Sequence, residues 1–524
     1  MYFFKINKSM TFQSFKLFLS TSLLVCLILA SCQDSSIEEK KPNIVVIYMD
    51  DLGYGDIGAN GSTFLKTPNI DMLANGGVRF TNGYASSATC TPSRYALLTG
   101  VYPWREKDAK ILPGTAPLII DTAQMTIPKM LKTKGYHTGI VGKWHLGLGS
   151  GNVNWNEHVS PGPNEIGFDY SYIMAATQDR VPTVYIEDGD VVNLDPNDPI
   201  EINYKTNFEG EPTGKDNPEM LKMKWHHGHN SSIVNGIPRI GFMKGGKKAQ
   251  WIDEDMADHF LEGAQDYVRK HRDEPFFLYY PLQQPHVPRT PHQRFVGKSG
   301  LGPRGDVILE ADWAVGAFIK TLEEEGLLEN TLILFTSDNG PVLNDGYYDD
   351  ADTKNGEHTP WGPYRGGKYS LFEAGTHVPF ISYWKGTITP HTSDAMVCQV
   401  DFLSSLAALV GSDIRTGDSE ELMDVFLGNS DTGRKNLVIE ATSRTAYRKG
   451  NWAMIPPYKG RAVNTFVNIE LGNDTTYQLY NLTTDIGQMK NLALIEKDKL
   501  SEMVKEYEVI RGNANTKIEE LELK

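Results

Sequence analysis

Cys90-Thr91-Pro92-Ser93-Arg94 places a thiol two positions before a proline and four before an arginine, with Thr99-Gly100 nine and ten positions on. A lone cysteine is most often a small buried thiol. Here Pro92 is tolerated in a first helical turn and Tyr95 to Leu98 continue the helix, so Cys90 stands at a helix start. The free N–H groups and dipole at that end favour an anion, and Arg94 adds a fixed positive charge. Asp50-Asp51 and Asp338-Asn339 carry the hard oxygen donors that Ca2+ prefers. Either pair alone reads as a turn or a helix cap. Two such pairs, each ending a hydrophobic run in a chain that also carries Cys90-Thr91-Pro92-Ser93-Arg94, point instead to a cation. No Cys/His zinc spacing accompanies them. Gly142-Lys143-Trp144-His145-Leu146-Gly147, Pro285-His286-Val287-Pro288 and Arg365-Gly366-Gly367-Lys368 add imidazoles and ammonium groups.

These residues share one kind of position. The apolar, β-branched run Asn43 to Met49 ends in Asp50-Asp51, and Thr331 to Thr336 ends in Ser337-Asp338-Asn339. Phe276 to Tyr280 ends near Pro285-His286, and Gly139 to Val141 ends at Gly142-Lys143. Helical patterns lie between them, over Asp253 to Lys270 and Ala311 to Glu325. Alternating strands and helices predict an α/β domain with a mostly parallel sheet, whose sites gather at the carboxyl ends of the strands. From about Lys435 the pattern changes. Leu437–Ile439, Thr445–Met454, Arg461–Glu470 and Thr476–Tyr480 read as short strands, and Ile495–Ile510 as a helix, predicting a smaller antiparallel sheet with a closing helix. The stretch 170–246 carries hairpin signals and reads as an insertion over the sheet edge.

The Cys90 motif and Gly142-Lys-Trp-His-Leu-Gly147 resemble the two signatures of type I, formylglycine-dependent sulfatases, and Tyr480 to Asp485 with Asn491-Leu492 resembles their C-terminal pattern. The resemblance implies an alkaline-phosphatase-like fold and hydrolysis of a sulfate ester. Cys90 would be oxidised to formylglycine by a formylglycine-generating or anaerobic sulfatase-maturing enzyme. Asp50, Asp51, Asp338 and Asn339 would bind one Ca2+ together with an oxygen of the converted Cys90. Arg94 and Lys143 would hold the sulfate, and His145 would hold the formylglycine hydroxyl. His286 and Lys368 would meet the leaving group, one of them protonating it. The hydrated aldehyde attacks sulfur with one hydroxyl and expels sulfate with the other. Two departures stand out: Ala374 where the family usually has glycine, and His377 where it usually has arginine.

Length and composition set the frame. At 524 residues, 40% hydrophobic and 22% charged, the chain is an ordinary globular protein large enough for two to four domain-sized units. Lys5, Lys8 and Lys16 precede an apolar run, Leu17–Ala30, too short for a membrane span. Leu29-Ala30-Ser31-Cys32 resembles a bacterial lipobox, implying acylation at Cys32 and an outer-membrane lipoprotein facing the periplasm or the cell surface. The division is then a signal peptide over 1–31, a linker over 32–42, a catalytic domain over 43–434 and a C-terminal subdomain over 435–524. Of four cysteines, Cys26 leaves with the leader, Cys32 is lipidated, Cys398 lies in an apolar run, and Cys90 is left for chemistry. A net charge of −15 argues against nucleic-acid binding. His227 and His229, with Asp345, Asp349 and Trp361, are carboxylates, imidazoles and an aromatic suited to a sugar and form a candidate substrate rim. The substrate class is a sulfated polysaccharide or oligosaccharide, of the algal ulvan or carrageenan type or a glycosaminoglycan. Rival readings are a phosphodiesterase or phosphonate hydrolase of the same fold, and a lipoprotein that only captures sulfated glycan.

Overall fold

The computed structural model describes residues 1–2, 40–151 and 153–512, so Cys26 and Cys32 lie outside the described residues. The described residues from Pro42 onward make up one compact unit. One sheet of ten strands organises it. In chain order these are β1 (Asn43–Met49), β2 (Val78–Tyr84), β3 (His137–Lys143), β4 (Tyr170–Met174), β5 (Tyr185–Glu187), β6 (Asp190–Val191), β7 (Phe276–Pro281), β8 (Thr331–Ser337), β9 (Phe380–Tyr383) and β10 (His391–Cys398). Their spatial order is β10-β2-β9-β8-β1-β7-β3-β4-β5-β6. The run β8-β1-β7-β3-β4 is parallel throughout, with Ile44 opposite both Phe277 and Leu332. β9 is antiparallel to both its neighbours, so β2 again points with the central strands and β10 follows it. β5 is the other reversed strand. The sheet is therefore mostly parallel, and eight of its ten strands run towards the same end.

Alternation along β1 divides the core. Ile44, Val46 and Tyr48 join a cluster with Leu97 and Leu98 of α2 (Cys90–Thr99), Met130 of α3 (Ile127–Lys132) and Phe402 of α6 (Phe402–Leu409). Val45, Ile47 and Met49 join a second cluster with Ile70 of α1 (Pro68–Gly76), Phe260 of α4 (Met256–Lys270) and Val315 and Phe318 of α5 (Gly302–Glu324). A strand buried on both faces needs this unbroken apolar run, with helices above and below it. α5 begins at Gly302, well before the expected Ala311. Its first turns turn polar groups inward, Arg304 onto Asp56 and Asp306 onto the backbone of Gly297 and Ser299, so no hydrophobic period marks them.

The C-terminal strands β11 (Asn436–Ala441), β12 (Arg444–Lys449), β13 (Trp452–Ile455) and β14 (Gln478–Asn481) form an antiparallel sheet in chain order. α7 (Lys497–Arg511) covers it, with Met503 clustered against Leu437, Tyr447 and Met454. The expected strand 445–454 breaks at Gly450 into β12 and β13, and 461–470 pairs with itself as the hairpin Val463–Asn464 with Ile469–Glu470. The expected insertion over 170–246 opens as sheet: β4, β5 and β6 extend the main sheet, and only the residues beyond Val191 leave it. Phe318 is wholly buried among α4 and β1 side chains, and large-to-small truncation there removes contacts that the core cannot refill. Phe318→Ala is expected to cost about 3–5 kcal/mol in urea unfolding, whereas a loss below about 1 kcal/mol would mean that the site collapses freely.

Candidate active site

Adjacent strands bring the two acidic pairs together. Asp50 and Asp51 follow β1, and Asp338 and Asn339 follow β8. The Asp51 amide donates to Asp338 Oδ1 at 3.2 Å, and Asn339 Nδ2 donates to Asp51 Oδ1 at 2.7 Å. One oxygen from each of Asp50, Asp51 and Asp338 lies within 4.8 Å of the others, all three residues being buried. Burial raises the pKa of Asp50, with Asp338 adding to the rise, and burial raises that of Asp51. At Asp338 burial also opposes the charge, but Arg94 overcomes it and holds the carboxyl below its ordinary range. Arg94 grips Asp338 Oδ2 at 2.7 Å, Lys143 pairs with Asp50, and Lys368 reaches Asp51 Oδ2 and Asp345 Oδ2 at 2.9 Å each. Two buried oxygens remain without a hydrogen-bond partner, Asp50 Oδ1 and Asn339 Oδ1. Orphaned hard acceptors beside crowded carboxylates suit a divalent cation with oxygen ligands, and the four predicted residues fit that role.

Cys90 follows β2 and opens α2, only 2% exposed. Burial pushes its thiol up to about 11, so as a thiol it stays protonated and unreactive at neutral pH. Lys143 owes its place to Gly142. That residue has φ 134°, and a Cβ there would lie 2.0 Å from the Pro281 carbonyl oxygen, so only glycine lets β3 pass β7 so closely. His145 Nε2 meets the Leu112 carbonyl oxygen at 3.0 Å and must carry the proton, which leaves Nδ1 as a bare acceptor, buried and unpartnered. Thr91, next to Cys90, donates to the His145 carbonyl at 2.9 Å and ties the two segments together. Burial and then Lys143 hold His145 well below the usual histidine range. His286 behaves alike. Nδ1 donates to the Val287 carbonyl at 2.7 Å, Nε2 lies 3.9 Å from Asp51 Oδ2, and burial with Lys368 keeps the ring neutral. Burial opposes the charge of Lys368, but Asp345 and Asp51 raise its pKa well above that of a free lysine.

A cavity of about 530 Å3 opens over this cluster. Cys90, His286, Lys368, His227, His229 and Asp345 line it, while Arg94, Lys143 and His145 lie buried outside its lining. Two of the expected rim residues do not line this cavity. Asp349 is closed off by Arg289 at 2.8 Å, and Trp361 lines a separate cavity of about 480 Å3 with Tyr364 and Arg365. Among the lining residues that the sequence reading missed are Asp179 and Arg180, which follow β4, and the rings of Tyr369 and Phe466. The signal for Asp179 and Arg180 is the one used elsewhere, charge after an apolar run, hidden because that run reads as part of an insertion. His229 Nε2 meets Asp179 Oδ2 at 2.8 Å, and Arg180 Nη1 holds Asp179 Oδ1 at 2.9 Å.

His377 has no place in the cavity. Its Nε2 meets the Thr81 carbonyl at 2.7 Å, its ring stacks on Tyr364, and its neighbour Glu373 is bound by Arg448 at 2.8 Å. Despite burial, Arg448 and His377 draw Glu373 down to about 2. A lowered carboxyl pKa stabilises the fold above the unfolded value near 4.5 and loses that contribution as pH falls towards 2.

The family model described as Sulfatase matches residues 42–412. An N-acetylgalactosamine-6-O-sulfatase of Bacteroides thetaiotaomicron is 49% identical over 484 residues, 91% of this chain and 95% of that protein. Human arylsulfatase A is 33% identical over 408 residues, 76% of this chain and 70% of that protein. A solved structure described under glycosaminoglycan metabolism by Bacteroides thetaiotaomicron superposes with a TM-score of 0.89 at 48% identity, covering 90% of this chain and 100% of that one.

Two outcomes test this geometry. Gly142→Ala must shift β3 from β7 and is expected to lower turnover by about a hundredfold, as displacements near 1 Å do; unchanged turnover would show that the close approach is not needed. Glu373→Gln is expected to flatten the loss of stability between pH 4.5 and 2 in acid unfolding, where the wild type sheds about 3 kcal/mol from this group.

Proposed function

The chain belongs to the sulfatase family, and from that premise we propose that it removes 6-O-sulfate from an N-acetylgalactosamine-type sugar, with Cys90 converted to formylglycine and Ca2+ held by Asp50, Asp51, Asp338 and Asn339. Membership makes it a sulfuric ester hydrolase, which sets aside a phosphodiester or phosphonate substrate and a purely binding role. The observation that carries the reading is a single cavity holding Cys90, Lys368 and His286 over the oxygen cluster. Identity of 49% along 91% of the chain supports the sugar assignment. So does the lining. Asp179, Arg180, His229 and Asp345 offer hydrogen-bonding groups to hydroxyls, and Phe466 and Tyr369 offer ring faces.

Formylglycine would supply a hydrated aldehyde oxygen as nucleophile, where the raised thiol supplies none. Bound Ca2+ would add positive charge and Lewis acidity at the sulfate. The chain's own groups do the rest. Arg94 is oriented through two nitrogens on Asp338 and by the Lys143 carbonyl, so its charge stays fixed. Lys143 and Lys368 balance charge on the anion, each unit-charge contact near 4 Å contributing about 4 kcal/mol at an effective dielectric near 20. His145 presents the bare Nδ1 that can take a hydrogen from a hydroxyl at position 90. Lys368 meets the leaving oxygen with a proton on Nζ, and His286 meets it as a neutral ring whose Nε2 accepts. Anchoring at Cys32, an outer-membrane location and a maturation enzyme acting on Cys90 belong to the same proposal, supported by Leu29-Ala30-Ser31-Cys32 and by Cys90-Thr91-Pro92-Ser93-Arg94.

The test is sulfate release from N-acetylgalactosamine 6-sulfate, its 4-sulfate isomer and N-acetylglucosamine 6-sulfate, beside mass spectrometry of the Cys90 peptide. The 6-sulfated galacto sugar is expected to turn over fastest, with an aldehyde at position 90. Cys90→Ala is expected to lose activity by roughly a thousandfold or more while keeping its melting temperature. Preference for either other sugar overturns the substrate, and an active enzyme with an intact thiol overturns the nucleophile.

A further inference from the structure

The opposite pole of the sheet holds a second group of metal-binding side chains. His137 opens β3 and Lys143 closes it, so seven strand residues at about 3.3 Å each separate the two by roughly 20 Å. His271 caps the carboxyl end of α4, and Glu274 stands in the turn before β7. His137 Nε2 lies 2.9 Å and His271 Nδ1 3.8 Å from the same oxygen, Glu274 Oε2. One donor atom of each residue is within 4.8 Å of the other two. The two rings stack, with centroids 4.7 Å apart and planes inclined by 26°, so the pair is held as a unit. Backbone bonds preset the arrangement, from His137 N to the Pro275 carbonyl at 3.0 Å and from Glu274 N to the His271 carbonyl at 3.1 Å. The His271 side chain is 12% exposed, and its Nδ1 is buried with no hydrogen-bond partner. Of the nearby cations, Arg269 is engaged by Asp266 and Glu325 and Arg272 by Asp273 and Glu325, while Lys270 lies over the Tyr170 ring.

We infer that His137, His271 and Glu274 form a binding site for a zinc-class divalent metal, separate from the oxygen cluster at the other end of the sheet. Two imidazoles and one carboxylate are a donor set that Zn2+ takes, with bonds near 2.0–2.2 Å and water in the fourth position. Tetrahedral bonds of that length set neighbouring donors about 3.3 Å apart, between the 2.9 and 3.8 Å observed. Burial, and next the His137 ring, keep His271 below the usual histidine range and so in the neutral form that binds metal. The two poles would then sort ions by hardness. Ca2+ suits the all-oxygen cluster, and Zn2+ suits the nitrogen-rich one. A metal here staples the start of β3 to the turn between α4 and β7, and it stabilises the folded chain because it binds only that form. Only the His271–Glu274 pair is local in sequence, and His137 joins it from the start of β3.

The experiment uses the full chain saturated with Ca2+, so that the oxygen cluster is not the acceptor, and titrates Zn2+ alone by calorimetry and by thermal melting. Co2+ absorption reports on tetrahedral coordination. Expected are one Zn2+ bound per chain, a rise in melting temperature with Zn2+, and an intense Co2+ band. Glu274→Gln and His137→Asn, both at partly exposed side chains, are each expected to weaken Zn2+ by roughly tenfold or more and to lose the band, while melting as the wild type does in Ca2+ alone. Variants that bind Zn2+ as tightly as the wild type, or a wild type that takes up none at about 100 μM, overturn the site.

Discussion

Three carboxylates with almost no access to water, Asp50, Asp51 and Asp338, set the constraint that the catalytic end answers. Removing one such ion from water costs several kcal/mol even after relaxation, and neighbours of like charge add to the cost. The chain offsets this with a cation for each: Arg94 on Asp338, Lys143 on Asp50 and Lys368 on Asp51. These come from α2, from the last residue of β3 and from a loop beyond β8, so one electrostatic requirement fixes the relative positions of several elements. Deleting Arg94 or Lys143 would leave Asp338 or Asp50 buried without its closest cation, so these side chains depend on one another. Even so, Asp50 Oδ1 and Asn339 Oδ1 stay without a hydrogen-bond partner, the kind of acceptor that suits a hard cation.

The sheet makes this crowding possible. Parallel neighbours send their carboxyl ends to one edge, and β1 sits between β7 and β8, so Asp50-Asp51, the His286 loop and Asp338-Asn339 leave side by side. Lys143 arrives from the next strand because Gly142 lets β3 run against Pro281. The site then sorts its proton carriers by their surroundings. His145 and His286 are buried beside cations and stay neutral, while Lys368 lies between two carboxylates and keeps its proton. Neutral imidazoles and a charged ammonium thus stand close together without exchanging protonation states.

Much of the fold was legible because buried parallel strands need unbroken apolar runs. β1, β7 and β8 announce themselves that way, and each ends in the polar residues that matter. α5 was foreshortened because Arg304 and Asp306 face inward on partners that no local pattern reveals. β4 was taken into an insertion because a five-residue strand next to hairpin signals resembles one. That reading hid Asp179 and Arg180.

The sequence by itself determined the family and which polar side chains stand after which strands. Cys90 with Arg94, the two oxygen-donor pairs and Lys143 with His145 are each local, and a residue's type and its position after a strand carry most of what it does. Tertiary structure decided which polar side chains share the cavity. Asp345 enters it because Lys368 draws it in, whereas Asp349, four positions on, is held away by Arg289 from another segment. His377 likewise lies against Tyr364, Thr81 and Glu373 rather than in the cavity. For a polar residue in a loop, the partner that satisfies it decides where it points, and that partner is chosen by the fold rather than by its neighbours in sequence.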